Sequence, residues 1–195
     1  MDTNIKIRFS FFLFTILSSF SAISQESKTN SYNKNWFYFS VDIGTQMSGI
    51  KNEDFIPSNY SPLIRVTGGK WLNSKIAIQV GYQGRYFYAI ADNLKHSYDF
   101  YFLESVFNAK NILLKNKKNR IHDLLFHVGF GYFQNHFYGN SSFHGMLGAS
   151  NNFSILENLK LKFDISAIVG WDIYQGNKDI LPSISLGLIY KLNNF

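Results

Sequence analysis

Apolar and polar residues alternate along most of this chain with a period of two. The longest run covers residues 159–173, where apolar side chains at odd positions are separated mainly by polar or small ones. Successive side chains of a β-strand point to opposite faces, so this period predicts strands with one apolar and one polar face. Such runs exceed the roughly 5–6 residues usual in soluble sheets and suit the ~9–11 residues of a tilted membrane-spanning strand.

Eight alternating segments follow one another along the chain, separated by turn-forming residues. Pro57, Pro62 and Pro182 fall in loops or at strand starts, as expected for a residue that cannot donate to a ladder. We therefore predict an all-β fold, an eight-stranded antiparallel up-and-down transmembrane β-barrel, whose closure pairs every backbone group in lipid. The predicted strands are 36–48, 62–72, 75–90, 97–108, 121–137, 143–155, 159–174 and 183–192. The predicted external loops are 49–61, 91–96, 138–142 and 175–182.

The first residues are typical of a secretory signal peptide. Lys6 and Arg8 precede a short apolar run that ends in small residues at Ser24, a suitable cleavage position. The chain has no cysteine, which excludes disulfides and thiolate chemistry. We expect export through this signal and location in the outer membrane. The expected organisation is a signal peptide over 1–24, a flexible lead over 25–35 and a barrel over 36–195.

Composition also favours a lipid-facing exterior. Charged residues make up 16% of the chain and aromatic residues 18%, whereas soluble domains average about 25% charged. The net charge of +6 comes partly from a basic cluster over 110–120, which we interpret as a solvated turn, with contact to anionic lipid as the alternative. The partners expected are outer-membrane lipid and, during biogenesis, the barrel-assembly machinery, with no nucleic acid.

Three segments carry a family resemblance. Residues 107–114 (FNAKNILL), 127–132 (HVGFGY) and 186–192 (LGLIYKL) resemble the asparagine-rich strand end, the glycine-alternating fifth strand and the closing strand of the small outer-membrane β-barrel proteins of the Bacteroidota. Members of that group share an OmpA-like transmembrane barrel, and for this chain we expect that barrel without a periplasmic domain. The resemblance implies fold and location rather than an activity. Phe195 departs from the family pattern, because it is out of phase with the apolar positions of the last strand.

The face opposite the apolar one carries charged and polar residues that we assign to the barrel interior. An eight-stranded barrel is just wide enough for its own side chains to fill, and charges buried there must pair. We predict that Arg85 pairs with Glu104 on the adjacent strand, with an ion path through the interior as the alternative. The predicted network comprises Asp42, Arg65, Arg85, Glu104, His127, Asp164 and Asp172, with Gln79, Gln83, Lys160 and Lys162 on the same face.

The sequence favours a structural or interaction role that is not enzymatic, with no cofactor, metal or catalytic residue predicted. Three alternatives stay open: a lipid-modifying hydrolase, a narrow channel, and a soluble lipocalin-like binder with an oily interior. The hydrolase would rely on Ser142 and His144, which are two residues apart and share a strand face. His136 and His144 flank a predicted loop, but two histidines without a third ligand make a weak metal site.

Overall fold

The computed structural model describes residues 36–48, 60–88, 94–113, 122–171, 173 and 178–192. The expected signal peptide, the flexible lead, Asp172 and Phe195 lie outside the described residues, as do residues 49–59, 91–93 and 175–177 of the predicted loops. Eight strands and one short helix account for nearly all of the described chain. They are β1 (Phe37–Met47), β2 (Tyr60–Trp71), β3 (Ile76–Tyr88), β4 (Lys95–Asn108), α1 (Ala109–Leu113), β5 (His122–Asn135), β6 (Asn140–Ser154), β7 (Leu159–Trp171) and β8 (Lys178–Leu192).

The loops predicted at 49–61, 91–96 and 175–182 extend too far, because β2, β4 and β8 already begin at Tyr60, Lys95 and Lys178. Pro182, which the sequence places before the last strand, lies inside it opposite Ala167.

The eight strands form a closed antiparallel up-and-down barrel, which confirms the predicted fold class. Each strand pairs with the next in sequence, and β1 closes the ring by pairing with β8, from Phe37 opposite Leu192 to Gln46 opposite Ser183. No sheet edge is left open, so the backbone donors and acceptors of the wall bond within the wall. Among the described residues, no helix is long and apolar enough to span a membrane.

The pairing register winds around the barrel. Followed strand by strand from Phe37, it arrives on β8 at Pro182, whereas β1 itself pairs Phe37 with Leu192, an offset of ten residues. An offset of this kind requires the strands to tilt relative to the barrel axis. With only eight strands, the interior is filled by side chains.

We call the end that carries residue 36 and Leu192 the turn end, and the opposite end the loop end. The turn end also carries the connection between β4 and β5, which includes α1 and is longer than the two four-residue turns beside it. Asn108 caps α1, because its side-chain oxygen accepts the backbone N–H of Asn111 at 3.0 Å.

The hairpin between β5 and β6 is tighter than predicted. A loop was expected at 138–142, but the strands meet in a turn over 136–139 and β6 already begins at Asn140. Asn135 directs this turn by accepting the backbone N–H of Phe137 at 2.9 Å. Gly139 completes it with a φ of 68°, which favours glycine.

The barrel is polar at the centre of its interior and apolar outside. Inward side chains form three layers: a central polar layer between two apolar clusters. The polar layer comprises Asp42, Arg65, Gln79, Gln83, Glu104, His127, Lys162 and Asp164, all buried. The loop-end cluster comprises Phe87, Tyr98, Phe100, Phe102, Phe133, Met146, Ile168, Ile173 and Leu181. The turn-end cluster comprises Tyr38, Trp71, Ala77, Val106, Leu125 and Ile189.

Candidate functional site

The polar layer is assembled from non-adjacent parts of the chain. Arg65 on β2 is completely surrounded, with only 1% of its surface exposed, and its Nη1 donates to Asp164 Oδ1 on β7 at 2.6 Å. Its Nε and Nη2 donate to Gln83 Oε1 on β3 at 2.9 and 2.7 Å. Nη2 also reaches the hydroxyls of Ser166 at 2.6 Å and Ser183 at 3.3 Å. The guanidinium therefore ties four strands together across the lumen.

His127 on β5 lies between two carboxylates. Its Nδ1 is 2.8 Å from Glu104 Oε1, and its Nε2 is 2.9 Å from Asp164 Oδ2. A neutral imidazole has one donor and one acceptor, so it would turn an acceptor toward one of these carboxylates. Only the cationic ring donates to both. The geometry thus favours a charged histidine as the bridge between Glu104 and Asp164.

The remaining charges complete a balanced set. Lys162 Nζ donates to Asp42 Oδ2 at 3.2 Å and lies 3.8 Å from Asp164 Oδ2. Gln79 donates to Glu104 at 2.6 Å and accepts the hydroxyl of Tyr38 at 2.8 Å. With His127 charged, the layer holds three cations and three carboxylates, which limits the penalty of burying them. The cations are Arg65, His127 and Lys162, and the carboxylates are Asp42, Glu104 and Asp164.

The structure brings together five of the residues predicted for this network: Asp42, Arg65, Glu104, His127 and Asp164. Gln79, Gln83 and Lys162, which the sequence places on the same face, supply further bonds. Lys160 instead pairs with Asp123 at 2.6 Å near the turn end, where both side chains are partly exposed. The hydroxyls of Ser166 and Ser183 were missed, because period two marks them as inward without indicating which charge they serve.

The predicted pair between Arg85 and Glu104 is wrong. Glu104 lies opposite Gln79, whereas Arg85 lies opposite Tyr98, six positions further along β4 and therefore about 20 Å away at ~3.3 Å per residue. Arg85 is also exposed, although its alternation assigns it to the interior. Its φ of 129° departs from the strand and redirects the side chain. Such a conformation in a non-glycine residue leaves no signal in the alternation pattern.

The histidines near the hairpin of β5 and β6 do not approach each other as a metal site. His136 Nε2 lies 2.7 Å from Asp99 Oδ2 on the outer surface. His144 is buried inside, with its Nε2 2.9 Å from Ser142 Oγ and its ring edge-on to Phe133. Across the part of the chain that the structure describes, no group of three His, Asp or Glu side chains is placed to hold a metal ion.

A small cavity of about 30 Å³ lies between the polar layer and the turn end. His127, Gln79 and Lys162 line it on the layer side, and Trp36 and Trp71 on the turn side. Its volume admits about one or two water molecules. On the opposite side, the aromatic rings of the loop-end cluster cover the polar layer. The interior is therefore a packed plug.

Glycines make room for the polar layer. A Cβ on Gly148 would lie 2.5 Å from His127 Nε2 and 2.6 Å from Ser166 Cβ, well inside contact distance. Gly68 has no atom within 4 Å of the same position. The imidazole can therefore occupy its place between the carboxylates only because residue 148 has no side chain.

Comparison with known proteins gives the fold. No family model and no curated protein matches the chain. The crystal structure of Neisserial surface protein A is similar with a TM-score of 0.56 and 12% identity, over 80% of this chain and 97% of that one. Ail, the attachment invasion locus protein of Yersinia pestis, has a TM-score of 0.49, 12% identity and coverages of 82% and 99%. The N-terminal β-barrel domain of Pseudomonas aeruginosa OprF has a TM-score of 0.48, 8% identity and coverages of 78% and 97%. The likeness to the neisserial protein is a shared barrel fold.

The Arg65–Asp164 pair can be tested by a double-mutant cycle. We expect Arg65→Met to lower the free energy of unfolding by about 3–5 kcal/mol, because it leaves buried carboxylate charge uncompensated. In the Arg65→Met background, Asp164→Asn should lower the free energy of unfolding by less than it does in the wild type, with a coupling energy of about 1–3 kcal/mol. Urea unfolding in detergent micelles measures both. Lys160→Met is the control and should cost about 1 kcal/mol or less. Additive single effects would contradict the direct pair.

The two glycines provide a matched test of packing around His127. We expect Gly148→Ala to destabilise the barrel by about 1–3 kcal/mol, because the new methyl group displaces the imidazole. Gly68→Ala should be neutral or slightly stabilising, because its methyl group meets open space. The midpoint of thermal unfolding in micelles compares them. Equal shifts for the two variants would show that His127 is not held by this contact.

Proposed function

We propose that the protein is an integral outer-membrane β-barrel with a structural or interaction role and no enzymatic activity. The observation that carries the proposal is the inverted distribution of side chains. Outward residues such as Ile43, Val80 and Phe130 are 66%, 58% and 57% exposed, while the charges of the polar layer are buried. A wall of exposed aliphatic and aromatic side chains is unfavourable in water and suits a hydrocarbon environment.

This distribution is the opposite of what a soluble lipocalin-like binder needs, namely an oily interior and a polar exterior. A narrow channel is also disfavoured, because the polar layer is charge-balanced, bonded and covered by apolar clusters on both sides. Conduction would require an open polar path. The packed interior supports a scaffold that holds strands and loops in place.

The ends of the outer surface carry aromatic residues suited to membrane interfaces. Toward the loop end, the rings of Tyr82 and Tyr101 lie 5.4 Å apart and those of Tyr132 and Phe143 lie 5.6 Å apart. Toward the turn end, Lys70 lies over the ring of Phe37, and the outward ring of Tyr190 is exposed. Aromatic girdles flanking an apolar band are typical of membrane barrels, so the proposal places these two belts at the two interfaces.

The proposal extends to location and partners. The fold likeness to a protein named for the neisserial surface supports a place in the outer membrane. We also propose that the protein is exported through the signal peptide over 1–24, is inserted by the barrel-assembly machinery and contacts outer-membrane lipid. We further propose that the protein is related to the OmpA-like small barrels of the Bacteroidota, which the resemblance of residues 107–114, 127–132 and 186–192 supports.

A charge scan of the outer wall tests the membrane environment. We expect Val41→Arg, at the middle of β1, to destabilise the protein in lipid vesicles by about 2–4 kcal/mol. Leu192→Arg, at the turn end of β8, should cost about 0–1 kcal/mol, because it lies near an interface. Urea unfolding in vesicles gives both values. A compact species that shifts on boiling in SDS should accompany the wild type.

A water-soluble protein would behave differently in this experiment. Both arginine substitutions would then lie on a solvated surface and change stability by about 0.5 kcal/mol or less. Recovery of the wild type from the soluble fraction, with no heat-dependent gel shift, would also overturn the proposal.

Hydrolysis of a lipid ester is a second candidate, favoured by one observation. Ser142 and His144 form a hydrogen bond of 2.9 Å near the loop end of β6, within the range for activation of a serine by a histidine base. His144 also lies over Gly170, where a larger side chain would clash with its ring. Packing against Phe133 accounts equally well for a fixed histidine, so a structural role is our expectation.

Fatty-acid release from lipid A by the folded barrel separates these roles. We expect none from the wild type. Release that is lost in both Ser142→Ala and His144→Ala, but kept in His136→Ala, would replace the structural role with a hydrolase. His136 is the matched control because it bonds to Asp99 on the outer surface, away from Ser142.

A further inference from the structure

The strands β2 and β3 part near the loop end before either of them ends. Both are described to their last residues there, Tyr60 and Tyr88. Their pairing, however, stops at Leu63 opposite Arg85. On their other sides the same strand ends stay paired, Tyr60 with β1 and Tyr88 with β4. We call the gap between residues 60–62 of β2 and 86–88 of β3 the seam.

A proline explains why the ladder stops at this point. One rung further, the register would place Pro62 opposite Tyr86. Proline has no N–H to donate, so the backbone oxygen of Tyr86 cannot receive a ladder bond from it. Arg85, the last paired residue of β3, has a φ of 129°, which departs from strand geometry. A missing donor and a strained residue therefore coincide where the strands part.

Side chains form the hydrogen bonds that the ladder lacks in the seam. Gln46 on β1 donates its Nε2 to the backbone oxygen of Tyr86 at 2.8 Å. Ser61 Oγ accepts the backbone N–H of Tyr88 at 3.0 Å, and the hydroxyl of Ser48 donates to the backbone oxygen of Tyr88. All three side chains are buried, so they bond to β3 from the lumen side. We call Gln46, Ser48 and Ser61 the latch.

The amide of Gln46 is oriented by the polar interior. Its Oε1 accepts the hydroxyl of Tyr98 at 2.5 Å and Nε2 of Gln83 at 3.3 Å. Because two donors occupy this oxygen, the amide nitrogen is the atom that faces Tyr86. Gln83 in turn accepts Arg65 Nε at 2.9 Å. The latch is therefore an extension of the polar layer toward the loop end.

Bonds made by side chains open more readily than a backbone ladder. A side chain releases its partner by rotating about its own torsions, and it leaves the neighbouring rungs in place. Segments held by few such bonds belong to the low-stability end of local unfolding. Tyr86 lies four residues beyond Tyr82 of the loop-end aromatic belt. Its opened backbone groups would therefore meet headgroups and water rather than hydrocarbon.

Phe87 connects the seam to the apolar interior. It lies between the two residues that the latch holds, and its side chain is completely buried in the loop-end cluster. Its ring is 5.6 Å from that of Tyr98 and 5.4 Å from that of His96. A movement of this strand end away from β2 would withdraw the ring of Phe87 and expose the cluster from the side.

We propose that the seam is a lateral window in the barrel wall, which opens at the loop end while the rest of the ring stays closed. Release of the latch frees residues 86–88 from β2, and these residues carry Phe87 out of the loop-end cluster. The paired register from Leu63 to Trp71 holds the two strands together below the window. The window goes beyond the proposed scaffold role and does not depend on it.

Amide hydrogen exchange, measured for each residue by NMR on the full-length protein in micelles, tests the window. Tyr88 reports the seam, and Val80, which pairs with Gly68 in the ladder, reports the closed wall. We expect Tyr88 to exchange at least about tenfold faster than Val80 in the wild type. Gln46→Leu and Ser48→Ala should each speed exchange of Tyr88 about tenfold further, the effect of one lost hydrogen bond, and leave Val80 unchanged.

Pro62→Val tests the cause of the seam, because it restores a backbone donor opposite Tyr86. We expect it to slow exchange of Tyr88 about tenfold, the effect of one hydrogen bond gained. Pro182→Val is the matched control. It restores a donor on β8, opposite Ala167, and should leave exchange of Tyr88 unchanged.

Three results would overturn the window. The first is a wild type in which Tyr88 exchanges as slowly as Val80. The second is equal acceleration of Tyr88 and Val80 in the latch variants, because this indicates unfolding of the whole barrel. The third is exchange of Tyr88 that is the same in Ser48→Ala and Pro62→Val as in the wild type, which describes a frayed strand end. Should Gln46→Leu fail to fold, the last two variants decide the matter alone.

Discussion

The pairing of β1 with β8 is the constraint on which the rest of the molecule depends. It leaves no strand edge unpaired, and its ten-residue offset sets the tilt of the wall. A ring of eight strands encloses a lumen only as wide as its own side chains, so every inward charge meets another side chain rather than bulk water. Closure therefore requires that each interior charge has a partner of opposite charge or a hydrogen-bonding group. Arg65 has the most such partners, because it bonds to residues on β3, β7 and β8.

The alternation of polar and apolar residues places charged side chains inside the barrel and apolar side chains outside it, and the two sets need different surroundings. Inside, burying Arg65 or Asp164 alone would be prohibitive, and the mutual bonds of the layer offset much of that penalty. Outside, aliphatic and aromatic side chains need no partner if lipid surrounds them. The two apolar clusters separate the bonded charges from bulk water at both ends, which strengthens the attraction between them.

Much of this architecture follows from the sequence, and the exceptions have physical causes. Period two fixes the number of strands, their order and the inward position of residues such as Asp164. It does not determine that His127 lies between two carboxylates, since this depends on the register of three successive strand pairs, from β4 to β7. Nor does it anticipate Arg85, whose backbone departs from the strand conformation on which the parity argument rests. The tight turn at 136–139 was obscured because polar residues after it read as loop, although they continue β6.

The position of the ion pair along the chain has a consequence for the order of assembly. Arg65 and Asp164 are 99 residues apart, and the ring cannot close before β8, the last strand, is in place. Until then, the early strands carry an unsatisfied edge and an unneutralised guanidinium, so a partly built wall gains little stability of its own. Contacts between such distant residues slow folding, because chain entropy must be lost before they form. The barrel is therefore expected to appear all at once and late, and a chain cut short before β8 would yield no smaller barrel.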